Sequence, residues 1–251
     1  MKRVYIDTDL TVGQTTTLPD STFHYLFRVL RCRDNEQIIA FNGDSKDYIG
    51  QLKQLGKRSA DIVVTDSQVN HKESPLHTIL IQAASKGERM DIAIQKAVEL
   101  GVNEIYPVQT EFSAVKLDAK RLAKKHQHWL AIIQSACEQC GRAMLPILHE
   151  VQPIADIIGN ISAQKKIMLH PYPKHNNKIQ SLQTLTHTDN LSVQSVAVLI
   201  GAEGGLSEQE VELAEQNEFI RLQLGQRILR TETATISALT LLQFVWGDYA
   251  K

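Results

Sequence analysis

The sequence predicts an α/β protein: a mostly parallel, helix-covered sheet in the C-terminal part, preceded by a small β-rich, barrel-like N-terminal domain. Three observations carry this prediction. Strand and helix signals alternate from about residue 75 onward. Short strand-like runs around one small helix dominate the first 70 or so residues. The polar segment Asn70-His71-Lys72-Glu73-Ser74-Pro75, which ends in Pro, separates the two regions.

In chain order, Arg3–Ile6 reads as a short strand. Asp20 or Ser21 can cap a helix whose apolar face is Phe23, Leu26, Phe27 and Leu30. Three β-like runs follow at Gln37–Phe41, Tyr48–Leu55 and Ala60–Val64. Asn42-Gly43 between the first two signals a hairpin, because both residue types tolerate positive φ. Beyond the linker, strands are expected at Thr78–Ala84, Glu104–Val108, Ile147–His149, Ile167–Leu169, Ser195–Ile200 and Ile220–Leu224. Helices are expected near 88–100, 118–140, 153–159, 207–217 and 232–246. Apolar strands alternating with helices imply a parallel sheet covered on both faces. The expected domains are therefore residues 1–72 and 73–251.

Composition narrows the function. A hydrophobic share of 43% in 251 residues excludes wholesale disorder. The odd number of cysteines (Cys32, Cys137 and Cys140) argues against a disulfide scaffold and for a reducing, cytoplasmic setting. The opening Met1-Lys2-Arg3-Val4-Tyr5-Ile6-Asp7 lacks the apolar run of a secretory signal. The uncharged stretch Thr233 to Gly247 is too short and too hydroxyl-rich to span a bilayer, so no membrane partner is expected. Lys and Arg number 27 against 28 Asp and Glu, a net charge of -1, which argues against a strongly basic nucleic-acid binder. Splitting the chain gives +1 for residues 1–72 and -2 for residues 73–251, so neither part is basic as a whole. Local clusters do exist, at Arg28, Arg31 and Arg33 and at Lys116, Lys120, Arg121, Lys124 and Lys125 with His126 and His128. Such a run reads either as a solvated helix face or as phosphate contacts.

The most informative stretch is Val196 to Ser207, an apolar strand that runs into a turn with Gly201, Gly204 and Gly205 and then into a helix. Ser207 and Glu210 fit a capping box. The turn is either a tight strand-to-helix connection or a ligand loop; its spacing is not that of a dinucleotide fingerprint, and no Lys follows as in a phosphate loop. Leu222 to Ala234 forms a second Gly-containing loop at a strand end, and Leu169-His170-Pro171 a third. Arg230 stands just before a helix N-terminus, an unfavourable place for a cation that suggests an anion-holding task. Glu232 in the first helical turn is ordinary dipole compensation. Cys137 and Cys140 form a C-x-x-C within a helical pattern; zinc needs four ligands and only Cys32 remains, so no metal is expected.

Together, Gly201-Ala202-Glu203-Gly204-Gly205-Leu206-Ser207, Leu224-Gly225-Gln226-Arg227-Ile228-Leu229-Arg230-Thr231-Glu232-Thr233-Ala234 and Leu169-His170-Pro171 resemble the methyl-donor loops of a known family. It is that of the RsmE-type RNA methyltransferases, which methylate uridine N3 in 16S rRNA and belong to the SPOUT superfamily. Lys86-Gly87-Glu88-Arg89-Met90-Asp91, Ile94-Gln95-Lys96-Ala97, Glu99-Leu100-Gly101-Val102, Cys137-Glu138-Gln139-Cys140-Gly141-Arg142, His24 and Arg28-Val29-Leu30-Arg31 also resemble family signatures, so the resemblance spans essentially the whole chain. It implies a PUA-like RNA-binding domain at 1–72 and a SPOUT-like domain with a deep trefoil knot at 73–251. It further implies a homodimer, S-adenosylmethionine as methyl donor, and 16S rRNA or the assembled small subunit as partner. The donor would contact Leu169, His170, Pro171, Ile200, Gly201, Glu203, Gly205, Leu224, Gly225, Ile228, Leu229 and Arg230. RNA would be met by Arg3, His24, Arg28, Arg31, Lys86, Arg89, Lys116, Lys120, Arg121, Lys124 and Arg142. Arg230, Glu203 and Glu232 are the catalytic candidates, with Arg230 stabilising a uridinate anion and His170 a further possible base. The sequence departs from the family pattern at Ala202 and Gln226, where Pro is usual, at Phe112 for Arg, and at Ala143 for Asn. Two alternatives stand beside this reading: a knotted methyltransferase acting on another RNA site or atom, and a non-catalytic RNA-binding assembly factor.

Overall fold

The computed structural model describes residues 1–56, 58–85, 87–113, 119–170 and 193–249. The chain divides into two compact units. Met1–Glu73 with Cys137–Leu145 form the first, and Ser74–Ala136 with Pro146–Lys251 the second.

The first unit is a mixed five-stranded sheet. Its strands are β1 (Lys2–Tyr5), β2 (Thr15–Thr17), β3 (Gln37–Phe41), β4 (Lys46–Gln54) and β5 (Ala60–Val69), in the order β1-β3-β4-β5-β2. Only β1 and β3 pair in parallel. Val4, Ile6, Ile38, Ala40, Leu52, Ile62 and Val64 alternate inward and enclose a core with Phe23 and Leu26. Gly50 sits at a register shift in β4, where a Cβ would meet the Ile62 side chain at 2.5 Å.

Four details of this unit refine or depart from the sequence reading. Helix α1 (Asp20–His24) is capped by Pro19, not by Asp20 or Ser21, and no side chain caps it. Proline ends the extended entry and leaves its carbonyl for Phe23 N–H at 2.9 Å. The helix then widens into a π turn, Tyr25–Val29, with Leu30 N–H donating to Tyr25 O. The Asn42-Gly43 hairpin closes through four residues, with Gly43 and Ser45 at positive φ and Asp44 N–H on the Asn42 side chain. Strand β2 lies outside the sequence expectation, because three threonines show no apolar alternation.

The Cys137–Leu145 segment is fastened within this unit. Tyr5 N–H and Tyr25 OH donate to the Glu138 carboxylate at 3.0 and 2.8 Å, and Asn70 Nδ2 donates to Gly141 O at 2.9 Å.

The second unit is a parallel sheet. Its main strands are β6 (His77–Ala83), β7 (Glu104–Gln109), β8 (Ile147–Leu148), β10 (Lys165–Leu169), β11 (Ser195–Ile200) and β12 (Ile220–Leu222), in the order β12-β10-β11-β6-β7-β8. A two-residue strand β9 (Gln152–Pro153) also pairs with β7. Every described pairing in this sheet is parallel. β6 and β11 are buried almost throughout, as central strands covered on both faces must be. The helices are α2 (Glu88–Glu99), α3 (Ala119–Cys140), α4 (Ile154–Ile157), α5 (Glu208–Gln216) and α6 (Thr231–Val245). On α2, Met90, Ala93, Ile94, Ala97 and Val98 form the buried stripe at helical spacing. No described helix is long and apolar enough to cross a membrane.

Candidate functional site

β12, β10 and β11 are neighbours that run the same way, so their C-terminal ends lie side by side. Described residues from the three stretches singled out in the sequence line a cavity of about 270 Å³ at these ends. Of the expected donor-binding residues, Leu169, His170, Ile200, Gly201, Glu203, Gly205, Leu224, Gly225, Ile228 and Leu229 line it. Arg230 does not, and Pro171 lies outside the described residues.

Sequence reading missed Ala202, Gly204, Leu222, Gln223, Arg227, Thr231 and Ala234 in the lining. Thr231 and Ala234 are three apart on the first turn of α6, so helical spacing could have found the second once the first was placed.

The Gly-rich turn is tight for a physical reason. Gly205 has φ +80°, and its N–H donates to Ala202 O at 2.9 Å. A Cβ on Gly201 would lie 2.7 Å from the Gly205 carbonyl carbon, and one on Gly204 would lie 2.9 Å from Phe112 Cβ. The turn ends in a complete capping box: Ser207 Oγ accepts from Glu210 N–H, and Glu210 Oε2 accepts from Ser207 N–H at 2.8 Å. The other Glu210 oxygen accepts from Glu111 N–H at 2.7 Å, which ties α5 to the loop carrying Phe112. Phe112 is 46% exposed beside this turn.

Of the three catalytic candidates only Glu203 lines the cavity; Arg230 and Glu232 lie at the start of α6, outside the lining. Glu203 is exposed and pairs with Arg89 at 2.6 Å. Both were singled out from sequence, Glu203 for catalysis and Arg89 for RNA, and the structure joins them as one ion pair. Arg230 is the N-cap residue of α6; its carbonyl accepts from Ala234 N–H, and its exposed guanidinium has no partner among the described residues. Glu232 lies in the first turn of α6, and its Oε2 is buried without a hydrogen bond among the described residues.

The expected RNA-contacting residues separate into three groups. His24, Arg28 and Arg31 are exposed on the first unit, and Arg89, Lys120, Arg121 and Lys124 on the second. Lys86 and Lys116 lie outside the described residues. Arg3 and Arg142 require correction. Arg3 stacks on the Phe41 ring, pairs with Asp47 at 2.5 Å and donates to Cys137 O. Arg142 is buried and forms an ion pair with Glu73 at 2.7 Å. Taking either guanidinium away would leave its carboxylate, buried Asp47 or half-buried Glu73, without its cation, so both act as internal struts and neither is free to hold a phosphate.

Two of the three thiols, Cys32 and Cys137, are buried as well. Burial pushes the Cys137 thiol up to about 12, leaving it protonated at neutral pH. Among the described residues no group of three His, Cys, Asp or Glu could hold a metal ion. At the opposite end of the sheet from the cavity, Glu104 accepts from His149, His77 and Tyr106. Burial would raise its carboxyl, but these donors outweigh it and the net shift is downward.

Comparison with known proteins adds to this geometry. A family model described as an RNA methyltransferase domain matches residues 72–243, and one described as an RNA methyltransferase PUA domain matches residues 18–65. Ribosomal RNA small subunit methyltransferase E of Buchnera aphidicola subsp. Schizaphis graminum is 35% identical over 250 residues, 98% of this chain and 97% of that protein. A solved structure of ribosomal RNA small subunit methyltransferase E from Neisseria gonorrhoeae, bound to S-adenosyl methionine, is 36% identical with TM-score 0.87 over 99% of both chains. A Legionella pneumophila protein solved in complex with the cofactor SAM is 37% identical with TM-score 0.90 over 98% of both chains.

Proposed function

This chain belongs to the ribosomal RNA small subunit methyltransferase E family of RNA methyltransferases, and from that premise we propose that it methylates uridine N3 in 16S rRNA with S-adenosylmethionine as donor. The observation that carries the proposal is the cavity at the C-terminal ends of β10, β11 and β12. Its residues fit the donor. Leu169, Ile200, Leu222, Leu224 and Ile228 offer apolar walls for a purine, while a few backbone and side-chain polar groups remain to orient it. At Gly201 the turn leaves no room for a side chain, because the Gly205 backbone fills that space and keeps the turn beside the cavity compact.

When bound, S-adenosylmethionine supplies an electrophilic methyl group whose departure from a sulfonium needs no acid. The chain must do the rest. Aligning the acceptor nitrogen with the methyl group is worth several kcal/mol of barrier. Uridine N3 must also lose its proton, and the resulting anion needs a cation nearby. Arg230 suits that task, because its guanidinium stands unpaired among the described residues and the residue lies in sequence between the lining residues Leu229 and Thr231. Glu232 is the candidate for accepting the proton, supported by its unpartnered buried oxygen. Glu203, held by Arg89, shapes the mouth. Phe112, exposed and packed against Gly204, offers a face on which an unpaired base can stack where the family usually has Arg.

The proposal includes a trefoil knot, a homodimer and a cytoplasmic location. Support for the dimer comes from α6, which leaves the large aromatic Phe244 59% exposed. Mapping 16S rRNA modifications after gene deletion tests the reaction. One N3-methyluridine should disappear, and purified protein with S-adenosylmethionine should restore it. Loss of a different modification would favour another site or atom, and absence of donor binding would favour an assembly factor. Arg230→Ala should reduce turnover at least about tenfold, with donor affinity within a few-fold.

A further inference from the structure

Beneath the cavity runs a buried polar chain that methyl transfer does not itself use. Gln82, near the end of the central strand β6, has 0% of its surface exposed. Its Nε2 donates to Thr231 Oγ1 at 2.9 Å, and Thr231 Oγ1 donates in turn to Gly201 O at 3.0 Å. On the other side, Gln82 Oε1 accepts from Thr235 Oγ1 at 2.7 Å. Thr231 and Thr235 are themselves buried. The chain thus joins three elements: the middle of the sheet, the Gly-rich turn after β11, and the first two turns of α6.

Fold stability alone does not require this arrangement. Replacing both partners of a buried hydrogen bond by apolar groups of the same shape is often nearly neutral. An all-apolar junction of Leu or Met with Val would fill the same space. What the polar version adds is direction. A carbonyl held by a hydroxyl has one orientation, and the planar trans peptide then fixes the N–H of Ala202 as well. Gly201, Ala202 and Thr231 all line the cavity.

We propose that Gln82 and Thr231 are positioning residues for the methyl-donor site, with the Gln82 amide orienting the Thr231 hydroxyl so that it locks the Gly201 carbonyl and sets the shape of the Gly201–Gly205 turn. This inference rests on the reading of the cavity as the S-adenosylmethionine site.

Calorimetric binding of S-adenosylmethionine to the purified full chain provides the test. Thr231→Val keeps the shape and removes the hydroxyl; it should weaken binding about tenfold, as expected for one stranded buried carbonyl. Thr231→Ser keeps the hydroxyl and should bind within about threefold of wild type. Gln82→Met should weaken binding similarly, and the double variant should be no worse than the poorer single, because both changes break one chain. Binding by Thr231→Val within twofold of wild type, or additive losses in the double variant, would overturn the inference. Amide hydrogen exchange in the protein without ligand gives a second readout. Residues 201–205 should exchange about tenfold faster in Thr231→Val, because the same hydrogen bond is broken, and unchanged exchange would sink the idea. Failure of wild-type protein to bind S-adenosylmethionine would instead reject the site assignment, while the exchange measurement still decides whether the chain holds the turn.

Discussion

Glu138 is where burial and hydrogen bonding compete most directly on a single side chain. Burial raises its carboxyl above the ordinary range, while the Tyr5 N–H, the Tyr25 hydroxyl and the Arg3 charge pull it down, and burial wins. Because the folded value lies above the unfolded one, the contribution to stability is full at pH below about 4.5 and is lost as pH rises through the folded value. Glu138→Gln removes the titration. Its melting temperature should therefore gain on wild type between pH 4 and pH 8, as measured by thermal unfolding across that range; a pH-independent difference would contradict the buried-charge account. The sequence marks Glu138 only as part of a motif. Nothing in its spacing says that the two donors, 133 and 113 residues away along the chain, converge on it. The same limit explains Arg3 and Arg142: a charge in a sequence reads as exposed until the carboxylate opposite it is known.

The Gly201–Gly205 turn and α6 form the element on which the site depends. Adding one methyl group at Gly201 forces a Cβ against the Gly205 backbone, which cannot be relieved by a rotamer change. Overpacking of this kind costs about 1–3 kcal/mol, so Gly201→Ala should lower the melting temperature and weaken S-adenosylmethionine binding together. A variant with wild-type affinity by calorimetry would show that the turn can yield. Elements of this kind are legible in the sequence. Apolar runs such as Val196–Ile200 and the Ser207/Glu210 pair state strand, turn and helix start locally. The π turn after α1 is not legible, because it depends on a backbone choice between Tyr25 and Leu26 carbonyls that side-chain pattern does not record.

For the whole molecule, the question raised by a net charge of -1 is how a neutral chain meets RNA. Exposed Lys120, Arg121 and Lys124, with Lys125 over the Trp129 ring, concentrate cations at the start of α3. Changing all four to Gln should weaken RNA binding and lower the slope of log affinity against log salt by roughly 0.7 for each phosphate no longer neutralised. An unchanged slope would make the cluster a solvated face. For the proposed dimer, Phe244→Asp places a charge on the apolar side of α6 and should shift sedimentation from dimer toward monomer, with an unchanged mass excluding that face. The strand and helix pattern, the parallel class and the three strand-end loops were all written in the chain, because period, capping and turn chemistry act between residues a few positions apart. Tertiary structure decided the rest: the order β12-β10-β11-β6 that brings those strand ends together, the ion pairs that hold Arg3 and buried Arg142, and the link from Gln82 through Thr231 to Gly201. Those depend on which strand lies beside which and on side chains meeting across long stretches of chain, and local sequence carries no record of either.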